Sequence, residues 1–302
     1  MKKMIALLLA LLLLGGLAAC GGESGAATPA GPGTTEAEDT KEPAPENTES
    51  TSAAPDFEGC TVIDNESCLL TITGIDESSI SGYTLKAHLE NKTEDQTLCF
   101  TINSASVNGV SCEPFLFVTV PAGEKTEEDI SFSGDKLMPL TEAYSDIEIT
   151  FRVYDDDTWK DVAVETAHIY PLGENRASRF VREAQPTDVV LVDNDQYSVV
   201  VTGYDPESTW GYAVCLYLVN KSDITLTFSA EKVSVNGLAC DPYWAEVVAP
   251  GKVAFSNMDW PASSFASKGI TEVEEIEFVL GILDTEDIWK DALCMETVKL
   301  NP

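Results

Sequence analysis

The sequence has little positive charge: 18 lysines and arginines stand against 51 aspartates and glutamates, which gives a formal net charge of −33. A surface this acidic repels nucleic acid and anionic lipid headgroups, so the composition excludes a nucleic-acid-binding protein. Solubility explains the acidity most simply. Cation binding or attraction to a basic partner would also fit it.

The residues that usually carry catalysis are also scarce. His88 and His168 are the two histidines of the chain, too few for a clustered zinc site. No G-x-S-x-G turn, phosphate-cradling glycine loop or C-x-x-C pair occurs. We therefore predict a non-enzymatic protein that needs no cofactor, with calcium as the one exception considered below.

No apolar run is long enough to cross a bilayer, which takes about 20 residues. The run Met4–Leu14 follows Lys2 and Lys3, as in the leader of an exported protein. Next comes L-A-A-C, ending at Cys20, which resembles the lipobox of bacterial lipoproteins. The resemblance implies a signal peptide at 1–19 and a diacylglycerol on Cys20, anchoring the chain to the outer face of the cell membrane. The alternative is an ordinary signal peptide with a chance cysteine.

After the leader, the chain has a low-complexity stretch and then the same unit twice. The stretch 20–57 is built mostly from small, polar and acidic residues, so we expect a lipidated, disordered linker. Residues 62–92 and 191–221 then align without a gap and are identical at 11 of 31 positions. Later matches are S-V-N-G, C-[ED]-P-[FY] and W-K-D. The chain thus predicts a duplicated domain, at 58–172 and 189–302, with an interdomain linker at 173–188.

Each copy has the pattern of β structure. In the second, Tyr197–Thr202 is rich in β-branched residues, Tyr212–Val219 is mostly apolar, and Ile276–Leu283 is a further strand. Asn-Gly and Pro-Gly turns separate such runs. About seven short strands per copy predict an all-β fold of two tandem immunoglobulin-like β-sandwich domains. Between the copies, the segment 175–184 could form one or two helical turns with Arg176, Arg179 and Arg182 near one face. These arginines either offset the acidic domains or dock an acidic partner.

The repeated motifs resemble those of uncharacterised surface lipoproteins from Gram-positive, Firmicutes-type bacteria, which carry immunoglobulin-like domains of unknown function. The resemblance covers roughly residues 60–171 and 189–302. It implies an all-β fold and a location on the cell surface, and it carries over no catalytic or binding residue.

Two groups of residues are candidates for ligand binding. The first is a pair of acidic turns before W-K-D, which could supply the oxygen ligands of calcium or could simply be solvated. Their candidate ligands are Asp155, Asp156, Asp157, Asp284, Glu286 and Asp287. The second is a set of aromatic residues of the second copy, which could stack on sugar rings or could pack in the core. They are Trp210, Tyr243, Trp244 and Trp260. Trp159 and Trp289 repeat at one place, where they plug each core or pack at its rim.

Seven cysteines remain besides Cys20, and an odd number leaves at least one thiol unpaired in a monomer. Buried free thiols are the simplest interpretation, and the disulfide pairing stays open. Together these features predict a lipid-anchored surface protein that presents two domains for interaction with an unknown protein or glycan, or for an envelope-associated role. The alternative is a ligand-binding module for glycan or calcium.

Overall fold

The structure is a computed structural model that describes residues 57–287 and 291–302. The predicted signal peptide, the lipidation site Cys20 and the linker up to residue 56 lie outside these residues, as does Trp289. Within the described residues the chain is almost entirely β-strand, with one short α-helix. The predicted all-β fold is confirmed. No helix of the described residues is long and apolar enough to span a bilayer.

The first repeat folds into nine strands. They are β1 (Cys60–Asp64), β2 (Cys68–Asp76), β3 (Tyr83–Asn91), β4 (Leu98–Val107), β5 (Val110–Cys112), β6 (Phe117–Val120), β7 (Lys125–Phe132), β8 (Ile147–Asp155) and β9 (Asp161–Ile169). One sheet has the order β1-β2-β3-β7, and the facing strands have the order β5-β4-β8-β9, with β6 also on β4. Side chains alternate in and out, so that Leu70 and Ile72 share one core with Phe151 and Val153.

The second repeat repeats this arrangement. Its elements are β10 (Val189–Asp193), β11 (Tyr197–Ser208), β12 (Gly211–Asn220), β13 (Leu226–Val235), β14 (Leu238–Ala239), β15 (Ala245–Val248), β16 (Val253–Pro261), α1 (Ala262–Lys268), β17 (Ile276–Asp284) and β18 (Cys294–Leu300). The strand orders are β10-β11-β12-β16 and β14-β13-β17-β18, with β15 on β13. Both repeats therefore share one topology, as expected for a duplicated unit, and each has its own core.

The two repeats meet at two turns that are not equivalent in the duplicated unit. The Asn-Gly turn of the first, Asn108-Gly109, lies against the Pro-Gly turn of the second. The Val253 amide donates to the Gly109 carbonyl at 3.0 Å, and β5 and β16 pair in parallel at this point. Lys252, almost buried, forms an ion pair with Glu148 across the boundary. Lys136 does the same with the buried carboxylate of Glu246 at 2.8 Å.

The segment between the repeats is not the predicted helix of one or two turns. A 3-10 turn covers Glu174–Arg176, and the chain then becomes irregular. The reason is that its backbone amides bond to the first repeat instead of to one another. The Ser178 amide donates to the Ser145 hydroxyl at 3.1 Å, and the Phe180 amide donates to the Asn108 carbonyl at 2.7 Å.

The arginines of this segment therefore do not form a single docking face. Arg179 donates to the Gly251 carbonyl at 3.3 Å. Arg182 bonds to both carboxylate oxygens of Asp188 at 2.7 Å, and its guanidinium lies 5.5 Å from the centre of the Tyr217 ring. Arg176 is exposed. Two of the three side chains thus hold the segment in place.

The pair of Arg182 and Asp188 predicts a pH dependence. The hydrogen bonds from Arg182 and from the Gln185 amide lower the pKa of Asp188 from an ordinary 3.8 to about 2. A carboxylate whose pKa is lower in the folded than in the unfolded protein stabilises the fold. This stabilisation is complete above the unfolded-state pKa and is lost as the pH falls through the folded-state pKa. We expect Asp188→Asn to lower the urea midpoint at pH 6, and this difference to shrink at pH 2.5. An equal difference at both pH values would contradict the pairing.

Candidate functional site

Both histidines bond to carboxylates on the sheet surfaces. The Nδ1 atom of His168 lies 2.7 Å from the Asp146 carboxylate, and its Nε2 atom lies 3.3 Å from Glu148. His88 is bonded to Glu127, which lies opposite it on β7. Each imidazole therefore contacts carboxylates at the sheet surface rather than a nucleophilic serine or cysteine.

The acidic turns use their carboxylates to hold the turns themselves. Asp155 accepts hydrogen bonds from the Thr158 amide and hydroxyl, both at 2.7 Å, and these bonds lower its pKa. Asp284 accepts one from the Glu286 amide at 3.0 Å. No group of three metal-ligating side chains comes together within residues 57–287 and 291–302. Calcium binding stays a prediction from the sequence. Thermal melting with and without millimolar calcium tests it.

The cysteines of the described residues are all free thiols, and most are buried. They are Cys60, Cys68, Cys99, Cys112, Cys215, Cys240 and Cys294. Burial raises the pKa of the Cys112 thiol from an ordinary 9.0 to about 12. The reactive species of a thiol is the thiolate, so buried thiols of this kind are inert.

Thiol reactivity gives a second prediction. At pH 8 we expect iodoacetamide to alkylate the half-buried Cys60 readily and to leave Cys112 unmodified until the protein is unfolded in urea. Peptide mass spectrometry after timed quenching measures both sites in one sample. Comparable alkylation of Cys60 and Cys112 in the native protein would contradict this packing.

The four aromatic candidates of the second repeat do not form one platform. Trp260 is fully buried, and its Nε1 atom donates to the Cys240 carbonyl at 2.8 Å, so it is a core residue and cannot stack on a ligand. Trp244 is half-buried and donates to the Ser256 hydroxyl at 3.0 Å. Tyr243 and Trp210 are exposed, each to 73%. None of the four lines the groove at one end of this repeat, although Trp210 precedes a lining residue and the Trp260 ring packs against two others.

Trp159, predicted to plug the core or to pack at its rim, packs at the rim. Its ring is 65% exposed and is stacked on the buried Tyr154 ring, with centroids 5.3 Å apart. Its backbone has a positive φ of 60°, an uncommon conformation for a bulky residue.

An open groove lies at one end of the second repeat, between the hairpin β11–β12, helix α1 and the loop that leads to β17. Its volume is about 660 Å³, within the range of small-ligand sites. The residues that form its walls are mostly apolar and aromatic. They include Tyr204, Tyr212, Phe265, Ile270 and Val273. Trp210 immediately precedes Gly211, which also lines the groove, and Trp260 lies behind the Tyr212 and Phe265 rings.

Tyr212 is the most buried aromatic residue of this groove. It is 8% exposed, and its hydroxyl has no hydrogen-bond partner among the described residues. Burial, followed by the nearby Tyr204 and Cys215 groups, raises the pKa of Tyr212 to about 12. The phenol is therefore neutral at physiological pH and can donate a hydrogen bond as well as accept one.

The corresponding place in the first repeat is filled by the protein itself. Tyr83, the equivalent of Tyr212, also has a buried hydroxyl without a partner. The Tyr144 ring packs on it with centroids 4.7 Å apart. Tyr144 lies in the loop that leads to β8, as Val273 lies in the loop that leads to β17. Tyr83 is half-buried beside the Tyr144 ring, whereas Tyr212 is buried and has the Phe265 ring 5.9 Å away, so the two repeats differ in which residue supplies the neighbouring ring.

The groove has an acidic border. Glu272, the one charged residue among those lining it, is exposed. Asp205 and Glu207 are exposed on either side of Pro206, which also lines the groove. Lys268, the basic residue of α1, does not line it. A cationic or neutral ligand is therefore favoured over an anionic one.

No protein-family model and no curated protein matches this chain. A solved protein of unknown function from Porphyromonas gingivalis W83 is 13% identical over 72% of this chain and 89% of its own, with a TM-score of 0.21. An exo-chitosanase from Amycolatopsis orientalis is 10% identical over 79% of this chain and 27% of its own, at 0.23. Red sea bream transglutaminase is 11% identical over 72% and 28%, at 0.19.

Sequence reasoning missed the groove because strands, a helix and a loop that are distant along the chain come together to form it. Only Trp210 and Trp260 pointed toward this end of the repeat, and one of them is a core residue. The available signal was the comparison of the two copies, in which Tyr144 of the first is replaced by Val273 of the second. Gaps in the alignment of the two copies obscure the equivalence of Tyr144 and Val273. Matching backbone hydrogen bonds from the Asn108 and Asn236 amides to the two loops establish it.

Proposed function

We propose that this chain is a non-enzymatic, lipid-anchored protein of the cell surface, which presents two immunoglobulin-like domains and binds a partner in the groove of the second. The observation that carries the proposal is the open aromatic groove beside Tyr212, at a place that Tyr144 fills in the first repeat. A concave apolar site with a few polar groups is the usual form of a binding site.

The arrangement of strands supports the immunoglobulin-like part of the proposal. In each repeat, two consecutive strands lie in different sheets and pair with two later consecutive strands. In the first repeat these are the pairs β3–β7 and β4–β8. Such Greek-key connections between two antiparallel sheets are typical of immunoglobulin-like sandwiches.

The anchor is tested separately from the groove. We expect cells that express the chain to incorporate a fatty-acid probe into it, to retain it in the membrane fraction and to expose it to added protease. Cys20→Ser should abolish the labelling. Equal labelling of this variant, or a protein protected from protease in intact cells, would refute the anchored part of the proposal.

The groove is tested by photo-crosslinking from equivalent positions of the two repeats. Glu272 borders the groove, and Ala143 is its exposed equivalent in the first repeat. We expect Glu272→benzoylphenylalanine to capture a surface partner, with the crosslinked peptide identified by mass spectrometry, and Ala143→benzoylphenylalanine to capture none. Equal yields from both positions would contradict binding in the groove.

A glycan is the second candidate ligand, because Trp210 is 73% exposed, its ring has a flat face that a sugar ring could cover, and the next residue, Gly211, lines the groove. Calorimetric titration of oligosaccharides into the wild type and into Trp210→Ala tests it. Heat that is lost in the variant would favour a glycan.

A further inference from the structure

The two repeats hold the loop beside the groove with the same hydrogen bonds, which identifies equivalent residues. In the first, Asn108 donates to the Ala143 carbonyl and accepts from the Ser145 and Asp146 amides. In the second, Asn236 donates to the Glu272 carbonyl and accepts from the Glu274 and Glu275 amides. The residue between these contacts is Tyr144 in one repeat and Val273 in the other.

This substitution explains the groove. The strands beneath are equivalent as well, since Tyr83 pairs with Phe132 and Tyr212 pairs with Trp260. In the first repeat the phenol ring of Tyr144 packs on the half-buried Tyr83 ring, with centroids 4.7 Å apart. In the second, Val273 contributes a branched side chain without a ring. The nearest other ring, Phe265, is centred 5.9 Å from Tyr212 and forms a wall of the groove.

Resting on the proposed function, we propose that the groove of the second repeat takes a tyrosine or phenylalanine side chain of a partner polypeptide, in the position that Tyr144 has in the first. The partner's residues next to this ring are basic. The ring would pack against Tyr212 and Phe265, as aromatic pairs do at centroid distances of about 4.5–7 Å. Exposed carboxylates at Asp205, Glu207 and Glu272 would face the basic residues.

The test is calorimetric titration of the full chain, in dilute non-ionic detergent, with the peptides acetyl-Lys-Tyr-Lys-amide and acetyl-Lys-Ala-Lys-amide. We expect the tyrosine peptide to bind at least about tenfold more tightly, as an aromatic anchor in a pocket does. Equal binding of the two peptides, or no binding of either, would overturn the proposal.

Two variants exchange the residues at the equivalent position. Val273→Tyr should place the protein's own ring in the groove and weaken the tyrosine peptide at least about tenfold, with an unchanged or raised melting temperature. Tyr144→Val should open a second groove and raise the stoichiometry toward two. Unchanged affinity and stoichiometry in both variants would overturn the proposal.

A surface variant covers the case in which Val273→Tyr does not fold. Glu272→Lys reverses one exposed charge and should weaken the tyrosine peptide several-fold at low salt, an effect that 1 M salt removes. Unchanged affinity of this variant for the tyrosine peptide at low salt would overturn the proposal that the partner's residues next to the ring are basic.

The peptide, maltotriose and crosslinking results together distinguish an aromatic peptide ligand from ligand binding in the groove as such. Maltotriose that binds the wild type and not Val273→Tyr, with no heat from the peptides, would identify a glycan site and overturn the peptide partner. Crosslinks from position 272 without any peptide binding would refute the aromatic ligand and leave the binding role of the groove intact.

Discussion

Trp260→Ala is expected to destabilise the protein by about 3–5 kcal/mol, the cost of removing a large aromatic side chain from a core. The Trp260 side chain is fully buried, its Nε1 atom is bonded to the Cys240 carbonyl, and its ring lies 6.1 Å from the Tyr212 ring and 6.2 Å from the Phe265 ring. The variant loses the apolar contacts and leaves the carbonyl without this donor. Urea unfolding monitored by circular dichroism measures the change.

Trp210→Ala is the matched control for this prediction. Trp210 is 73% exposed and its side chain is not part of the core, so its removal should change the free energy of unfolding by no more than about 0.5 kcal/mol. Similar losses for the two tryptophans would contradict the placement of Trp260 in the core and of Trp210 at the surface.

Asn108→Ala is expected to cost about 3 kcal/mol or more. The Asn108 side chain is completely buried, accepts bonds from the Ser145 amide and hydroxyl at 2.9 and 3.0 Å, and donates to the Ala143 carbonyl at 3.0 Å. Each buried group left without a partner costs about 1–3 kcal/mol. The backbone at Asn108 also has a φ of 50°, which asparagine tolerates better than alanine.

Asn236→Ala removes the same bonds from the second repeat and serves as the control. Asn236 is exposed, because the linker covers only the Asn108 turn, so water can replace its side chain. We expect a loss of about 1 kcal/mol from the neutral hydrogen bonds, to which the φ of 51° adds the same backbone cost as at Asn108. Equal losses of unfolding free energy in Asn108→Ala and Asn236→Ala would contradict the view that the linker shields the Asn108 side chain from water.

The duplication and several strands could be predicted from the sequence because they depend on local patterns. Tyr212–Val219 falls within β12, and Ile276–Leu283 falls within β17. The single strand β13 contains two short β-type runs, Leu226–Phe228 and Val233–Val235. Its pairing with β17 is interrupted between Glu231 and Ser234, where Lys232 has a φ of 53°. Neighbouring strands can continue a strand through such an irregularity, which no local pattern shows.

The linker and the groove could not be predicted because tertiary contacts decide both. The sequence around Arg179 favours a helix in isolation, but the first repeat offers its backbone better partners at Ser145 and Asn108. The sequence alone does not distinguish Trp260 from Trp210. Tertiary contacts place Trp260 in the core and leave Trp210 in solvent.

The central claim is that the second repeat, and not the first, binds a ligand beside its buried tyrosine. Methyl nuclear magnetic resonance during titration with acetyl-Lys-Tyr-Lys-amide tests it most directly. We predict that the methyl signals of Ile270 and Val273, which line the groove, shift with increasing peptide, while those of Leu137 and Leu140 in the equivalent loop do not. Shifts confined to the first repeat, or spread equally over both, would contradict the claim.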